Sequence, residues 1–318
     1  MRQRPRKMYN KFRSSQIYGH AAMLLFSALV AGSFSLGSLV ANEIAPIALT
    51  AVRFMIAAIV IGLAAFMLKK ISRQALEAPW RYFILGGLLS IYFVLMFEGL
   101  KTAPPVSVAA VFTFTPVIAG LFGFVLLRQI VTVRTAVALT IGAVGALWVI
   151  FRADLAAILQ FRVGRGEVIY FWGCVAHALY TPMIVRLNRG EPAIVFTLGT
   201  IVSGGLLLTI LGWSDIRSTD WYNLPKIVWI TLVYVSIFAS AVTFLLLQFA
   251  SFRLPAAKVM AYTYLVPSWV ILWEVSIGHA VPRTIVVLGV AITLVALWML
   301  LRNDETCLPT KRTDPQLR

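Results

Sequence analysis

The sequence predicts an all-α integral membrane protein of ten transmembrane helices, arranged as two inverted five-helix repeats. Three observations carry that prediction: composition, the alternation of apolar runs with basic gaps, and self-similarity between the two halves. Of 318 residues, 60% are hydrophobic and only 13% charged, against roughly 45–50% and 25% in soluble domains. A helix needs about 20 apolar residues to cross a bilayer, and mean hydropathy is high at +0.87. The net charge of +16 does not indicate nucleic-acid binding, because the basic residues fall in the gaps between apolar runs rather than on one face.

The elements follow in order. A basic tail, 1–16, precedes span 1 (17–41), which is too long for a cleaved signal segment and has no clear A-x-A site after it. Span 2 (45–68) opens at Pro46. Span 3 (82–100) follows Trp80, span 4 (103–127) opens at Pro104, and span 5 (132–151) ends near Trp148. A linker, 152–166, leads to span 6 (167–185). Span 7 (193–212) starts after Pro192 and span 8 (227–249) after Trp221 and Tyr222. Span 9 (256–277) starts after Pro255, span 10 (282–301) opens at Pro282, and a polar tail, 302–318, closes the chain. Proline at a helix start loses no hydrogen bond, and the tryptophans and tyrosines form an interfacial belt.

Lysine and arginine orient the spans. With the N-terminus cytoplasmic, the inner segments hold 20 of the 28 basic residues, the outer segments seven, and Arg53 lies within span 2. Both termini are therefore placed inside, in a bacterial inner membrane. Cys174 and Cys307 make neither a disulfide framework nor a usual zinc site; both are expected to be free thiols.

The halves resemble each other. "ALWVIFR" (146–152) matches "ALWMLLR" (296–302), and "PPVSVAAVFTFTPV" (104–117) matches "PAAKVMAYTYLVPS" (255–268). Pro104 falls on Pro255 and Pro116 on Pro267. Five spans is an odd number, so the second copy enters from the opposite side, an architecture found in many secondary transporters.

At this point the residues resemble a family. "APIALTAVRFMIAAIVIG", "GLKTAPPVSVAAVFTFTPV" and "ASFRLPAAKVMAYTYLVP" are similar to segments of EamA-type transporters of the drug/metabolite transporter superfamily, and the likeness runs from about residue 20 to 302. The turns after spans 4 and 9 depart from the family's common Gly-Glu, reading Arg128-Gln129 and Gly278-His279. The resemblance implies a ten-helix bundle with spans 1–4 and 6–9 around a central cavity. It also implies transport of small metabolites, often amino acids or related compounds.

Charged groups within spans are costly and mark function or pairing. Applying the repeat, Glu274 aligns with Gly123, Arg53 with Gly199, His177 with Gly32 and Glu98 with Phe249. The scaffold repeats and the ionisable residues do not. Glu274 shares a helical stripe with Pro267, Ile271 and Gly278; it is a candidate cargo contact or proton-coupling group, or a structural carboxylate. Arg53 is either a counter-charge for an anionic cargo group or a brace paired with Glu43 or with Glu98, the latter an intramembrane ion pair. Glu98 also has Lys101 at i,i+3. His177, Gln248, Tyr180 and Tyr264 are candidates for the substrate pathway, with core packing as the plainer reading. Gly37 and Pro182 occupy matched positions and are hinge candidates.

These features favour a secondary transporter of a small metabolite, working by alternating access in the direction of export. A channel or a non-transporting scaffold or receptor are the alternatives. An enzyme is not expected: no catalytic or metal-binding motif occurs, and no cofactor is implied. The expected partners are a small-molecule substrate, the lipid bilayer and a proton as coupling ion, with no nucleic acid. The expected assembly is a monomer or weak homodimer.

Overall fold

A computed structural model of the chain describes residues 4–70, 77–129, 132–150, 163–279 and 284–301. Every element among them is helical. In chain order they are α1 (Arg4–Val40), α2 (Pro46–Met67), α3 (Trp80–Leu100), α4 (Pro105–Phe112), α5 (Thr115–Leu127) and α6 (Val133–Ile150). The second half holds α7 (Arg165–Leu187), α8 (Ala193–Leu211), the short α9 (Trp213–Ser218) and α10 (Lys226–Ser236). A π-helical turn, Ile237–Val242, joins α10 to α11 (Thr243–Ser251). A 3₁₀ turn, Tyr262–Leu265, joins α12 (Ala256–Ala261) to α13 (Val266–Ser276), and α14 (Thr284–Leu301) ends the described chain. The linker between the halves and the C-tail with Cys307 lie almost wholly outside the described residues. Helix α1 already begins at Arg4, inside the stretch expected to be a tail.

Among the described residues, seven helices are long and apolar enough to cross a membrane: 16–40, 46–67, 80–100, 105–127, 165–187, 193–211 and 226–251. Helices α6 and α14 contribute two shorter apolar segments, and the stretch expected as span 9 is divided by its 3₁₀ turn. Proline explains the breaks in spans 4 and 9. Pro116 cannot donate to the carbonyl of Phe112 four residues back; the Thr115 hydroxyl does so instead, at 2.7 Å. Pro267 stands at the matching place in the start of α13. The two breaks meet, with Thr115 Oγ1 bonded to Thr263 Oγ1 at 3.1 Å.

The packing has a pattern. Helix α1 packs on α11 and α13, and α7 packs on α3 and α5. Exchanging the two halves converts each of these contacts into the other. The contacts α2–α8 and α6–α14 convert into themselves, and α5–α12 converts into α4–α13. Glycine permits the closest approaches. A Cβ on Gly86 of α3 would sit 2.6 Å from the Thr200 carbonyl of α8. A Cβ on Gly145 of α6 would sit 2.8 Å from the Gly289 carbonyl of α14. Both lie inside van der Waals contact, so these interfaces depend on the missing side chain.

Candidate functional site

The polar side chains of the bundle divide into two groups. Most hydroxyls bond back to their own helix, as Thr50 does to the Pro46 carbonyl, Ser90 to Gly86, Thr200 to Phe196 and Ser251 to Leu247. A smaller set is buried with polar atoms that have no partner among the described residues, including both ring nitrogens of His177, Gln248 Oε1, Arg53 Nη1, Glu274 Oε1, and the hydroxyls of Ser33, Ser35, Thr181, Thr197 and Ser268. A buried polar group left without a partner costs about 1–3 kcal/mol, so these positions are candidates for contact with a bound group.

Both ring nitrogens of His177 belong to this set. Its ring lies on Tyr92 of α3, with centroids 4.2 Å apart and planes 20° from parallel. Tyr180, one turn further along α7, has its ring nearly parallel to it with centroids 6.3 Å apart. Tyr170 donates to the Tyr92 hydroxyl at 3.2 Å, and Gln248 Nε2 donates to the Tyr180 hydroxyl at 3.3 Å. The structure thus brings His177, Tyr180 and Gln248 together from α7 and α11. It adds Tyr92 and Tyr170, which the sequence did not single out because a tyrosine in an apolar run looks like ordinary packing. Cys174, on the same helix, is free and buried.

Arg53 is fully buried. Its Nε donates to the Ser240 hydroxyl and its Nη2 to the Ala239 carbonyl, both on the π-helical turn, and its guanidinium lies over the Phe93 ring at 3.7 Å. The expected Arg53–Glu98 pair does not form. Glu98 is at the C-terminal end of α3, 38% exposed, and accepts from Lys101 Nζ at 2.9 Å. A carboxylate at the wet end of a helix pairs locally with the lysine one turn on, while the arginine is taken by a bent backbone that hydropathy does not reveal.

Three other expectations are corrected or refined. Tyr264 does not join the central rings. It fits against Gly142 of α6, its hydroxyl donates to the Leu139 carbonyl at 3.4 Å, and it packs with Ala296 and Leu297 of α14. Glu274 is buried, but it lies in the last turn of α13 with Oε2 2.7 Å from Nδ1 of the exposed His279. Gly278 is off the expected stripe, since the helix ends at Ser276 and Gly278 forms the turn at φ +98°. Neither hinge candidate interrupts its helix: Gly37 makes room for Phe97, whose ring would be 2.9 Å from an added Cβ, and Pro182 is buried within a continuous α7.

A further polar contact joins the halves where α3 begins and α7 ends. Arg81, 1% exposed at the start of α3, donates to Glu191 Oε1 at 2.6 Å and to the Leu187 carbonyl at 2.7 Å. Burial alone would raise the Glu191 carboxyl, but hydrogen bonds from Arg81 and from backbone N–H groups hold it below its ordinary value. A depression of about 390 Å³ at the starts of α2 and α10, lined by Glu43, Asp215 and Asp220, includes none of the central residues.

The EamA-like transporter family matches twice, over residues 17–151 and 164–302. The uncharacterized transporter YyaM of Bacillus subtilis (strain 168) is 23% identical over 276 residues, which is 84% of this chain and 90% of that protein. The uncharacterized transporter YvbV of the same organism is 24% identical over 225 residues, 70% of this chain and 71% of that protein. A solved crystal structure shares the fold with a TM-score of 0.69 at 21% identity, over 90% of this chain and 96% of that one. With matches that take in most of both halves, this multi-pass membrane chain belongs to the EamA-like transporter family.

Proposed function

We propose that the chain is a secondary transporter that carries a small metabolite, an amino acid or related compound, across the bacterial cytoplasmic membrane by alternating access, in the direction of export. The observation that carries this reading is the unpartnered buried cluster of His177, Gln248 and Thr181 beside Tyr92 and Tyr180, between helices of the two halves. Its donors and acceptors are satisfied when a polar cargo sits among them.

Ten spans in two inverted repeats, with both termini cytoplasmic, belong to the same proposal. The exchange symmetry of the helix contacts supports the repeat, and the bias of basic residues supports the orientation. The chain carries out no chemistry on its cargo.

The test is counterflow in proteoliposomes with a panel of labelled metabolites. The expected outcome is exchange of at least one compound, with His177→Ala and Gln248→Ala each lowering the rate at least tenfold while folded yield is kept. Exchange that does not saturate, with net flux unaffected by substrate on the far side, would indicate a channel. A panel with no flux would leave a non-transporting role.

A further inference from the structure

We infer that Arg53 is the anion-binding group of the pathway, and that the cargo carries a single carboxylate. This rests on the transport reading and adds the charge class of the cargo.

The guanidinium is fully buried and lies on the aromatic wall that leads to His177. Arg53 covers Phe93, Phe93 meets Tyr92 edge-on with centroids 4.5 Å apart, and Tyr92 stacks on His177. Two of its three nitrogens are held by Ser240 and Ala239, which fixes the plane of the fork. Nη1 is buried with no partner among the described residues. No carboxylate among the described residues pairs with it: Glu98 is taken by Lys101, Glu191 by Arg81 and Glu274 by His279. A guanidinium is always charged and cannot lose its proton as a lysine would. An immobilised buried cation with no counter-ion and free N–H groups is therefore an open half of an ion pair.

The hydrogen bonds to Ser240 and Ala239 hold Arg53 but do not neutralise it. A neutral side chain could brace the π-helical turn without bringing an unbalanced charge into the bundle. The count of charges selects the partner. One carboxylate neutralises one guanidinium and can accept a charge-assisted hydrogen bond from Nη1. A phosphate dianion would bring a second negative charge to a wall where Arg53 is the one cation among the described residues. The Ala239 carbonyl that holds Arg53 belongs to the π-helical turn, and such turns occur frequently at functional sites.

The experiment uses the purified full-length protein. Thermal unfolding is followed with acetate, pyruvate and benzoate, each beside its amide, and with chloride and inorganic phosphate at the same ionic strength. Wild type is expected to gain stability from at least one carboxylate and not from its amide. Arg53→Gln is expected to abolish that gain, with ligand-free Tm unchanged or raised because an unbalanced buried charge is gone. Arg53→Lys keeps the charge without the fork and is expected to retain the gain with half-saturation at least tenfold higher.

Equal stabilisation by acid and amide, stabilisation by chloride or phosphate alone, no response to any carboxylate, or a gain that persists in Arg53→Gln would each overturn the assignment. A lower ligand-free Tm in both Arg53 variants, with no carboxylate effect in wild type, would make Arg53 a structural brace. Counterflow of neutral or cationic compounds alone would overturn the anion site and leave transport standing. A carboxylate-dependent gain that is lost in Arg53→Gln, without counterflow of any compound, would leave the anion site standing and overturn transport.

Discussion

Arg81 and Glu191 hold opposite halves of the molecule together through one short ion pair. Glu191 is 8% exposed, and its carboxyl is held below the ordinary value by the hydrogen bonds it accepts. A group whose folded pKa is depressed adds stability above its unfolded value, here 4.5, and loses it as pH falls through the folded value. Wild type should therefore lose Tm on acidification below about 4.5 more steeply than Glu191→Gln, as read by thermal unfolding across pH; parallel curves would remove the pair as a pH-sensitive brace. Glu274 presents a different question. Its Oε1 is buried without a partner while Oε2 contacts His279. If it couples transport to protons, Glu274→Gln should still exchange cargo for cargo but lose accumulation driven by a pH gradient. A Gln variant that still concentrates cargo under such a gradient would end that role. The sequence marked Glu274 correctly as unusual. It did not show the partner, because His279 lies beyond the helix end, in a turn that depends on Gly278 at positive φ.

At the scale of elements, the helices are joined by glycine notches and opened by backbone irregularities. Tyr264 illustrates the first. Its ring fills the space over Gly142, and its hydroxyl makes a long bond to Leu139. Tyr264→Phe should change stability by less than about 1.5 kcal/mol, the usual range for one hydrogen bond, and leave transport intact. Gly142→Val should expel the ring and lower Tm by several degrees. A transport defect in Tyr264→Phe at normal Tm would return this residue to the pathway. The π-helical turn at Ile237–Val242 is the second kind. Hydropathy reads "SIFASAV" as continuous helix, and only the three-dimensional arrangement shows Arg53 on its backbone. The breaks at Pro116 and Pro267 were more legible, since proline removes a defined hydrogen bond. Their meeting at Thr115 and Thr263 was not.

For the whole molecule, the pairing of α1 with α11 and of α7 with α3, with α2–α8 and α6–α14 as self-matching contacts, is what a two-fold relation between halves produces. If the repeat is inverted, reporter fusions after residues 45, 75, 160, 190 and 302 should read out, in, out, in and in. A C-terminus outside would overturn the inversion. The sequence by itself determined the membrane class, the order of the apolar segments, the likeness of the halves and which polar residues are out of place in them. Those follow from composition, periodicity and proline positions, which act locally along the chain. Only the tertiary structure decided which of the out-of-place residues meet. Arg53 left Glu98 for the π-helical turn, Tyr264 went to the periphery, and His177, Tyr180 and Gln248 converged. Partner choice depends on helix rotation and depth, and these are fixed by glycine-sized contacts between segments far apart in sequence, where one missing Cβ decides which faces can touch.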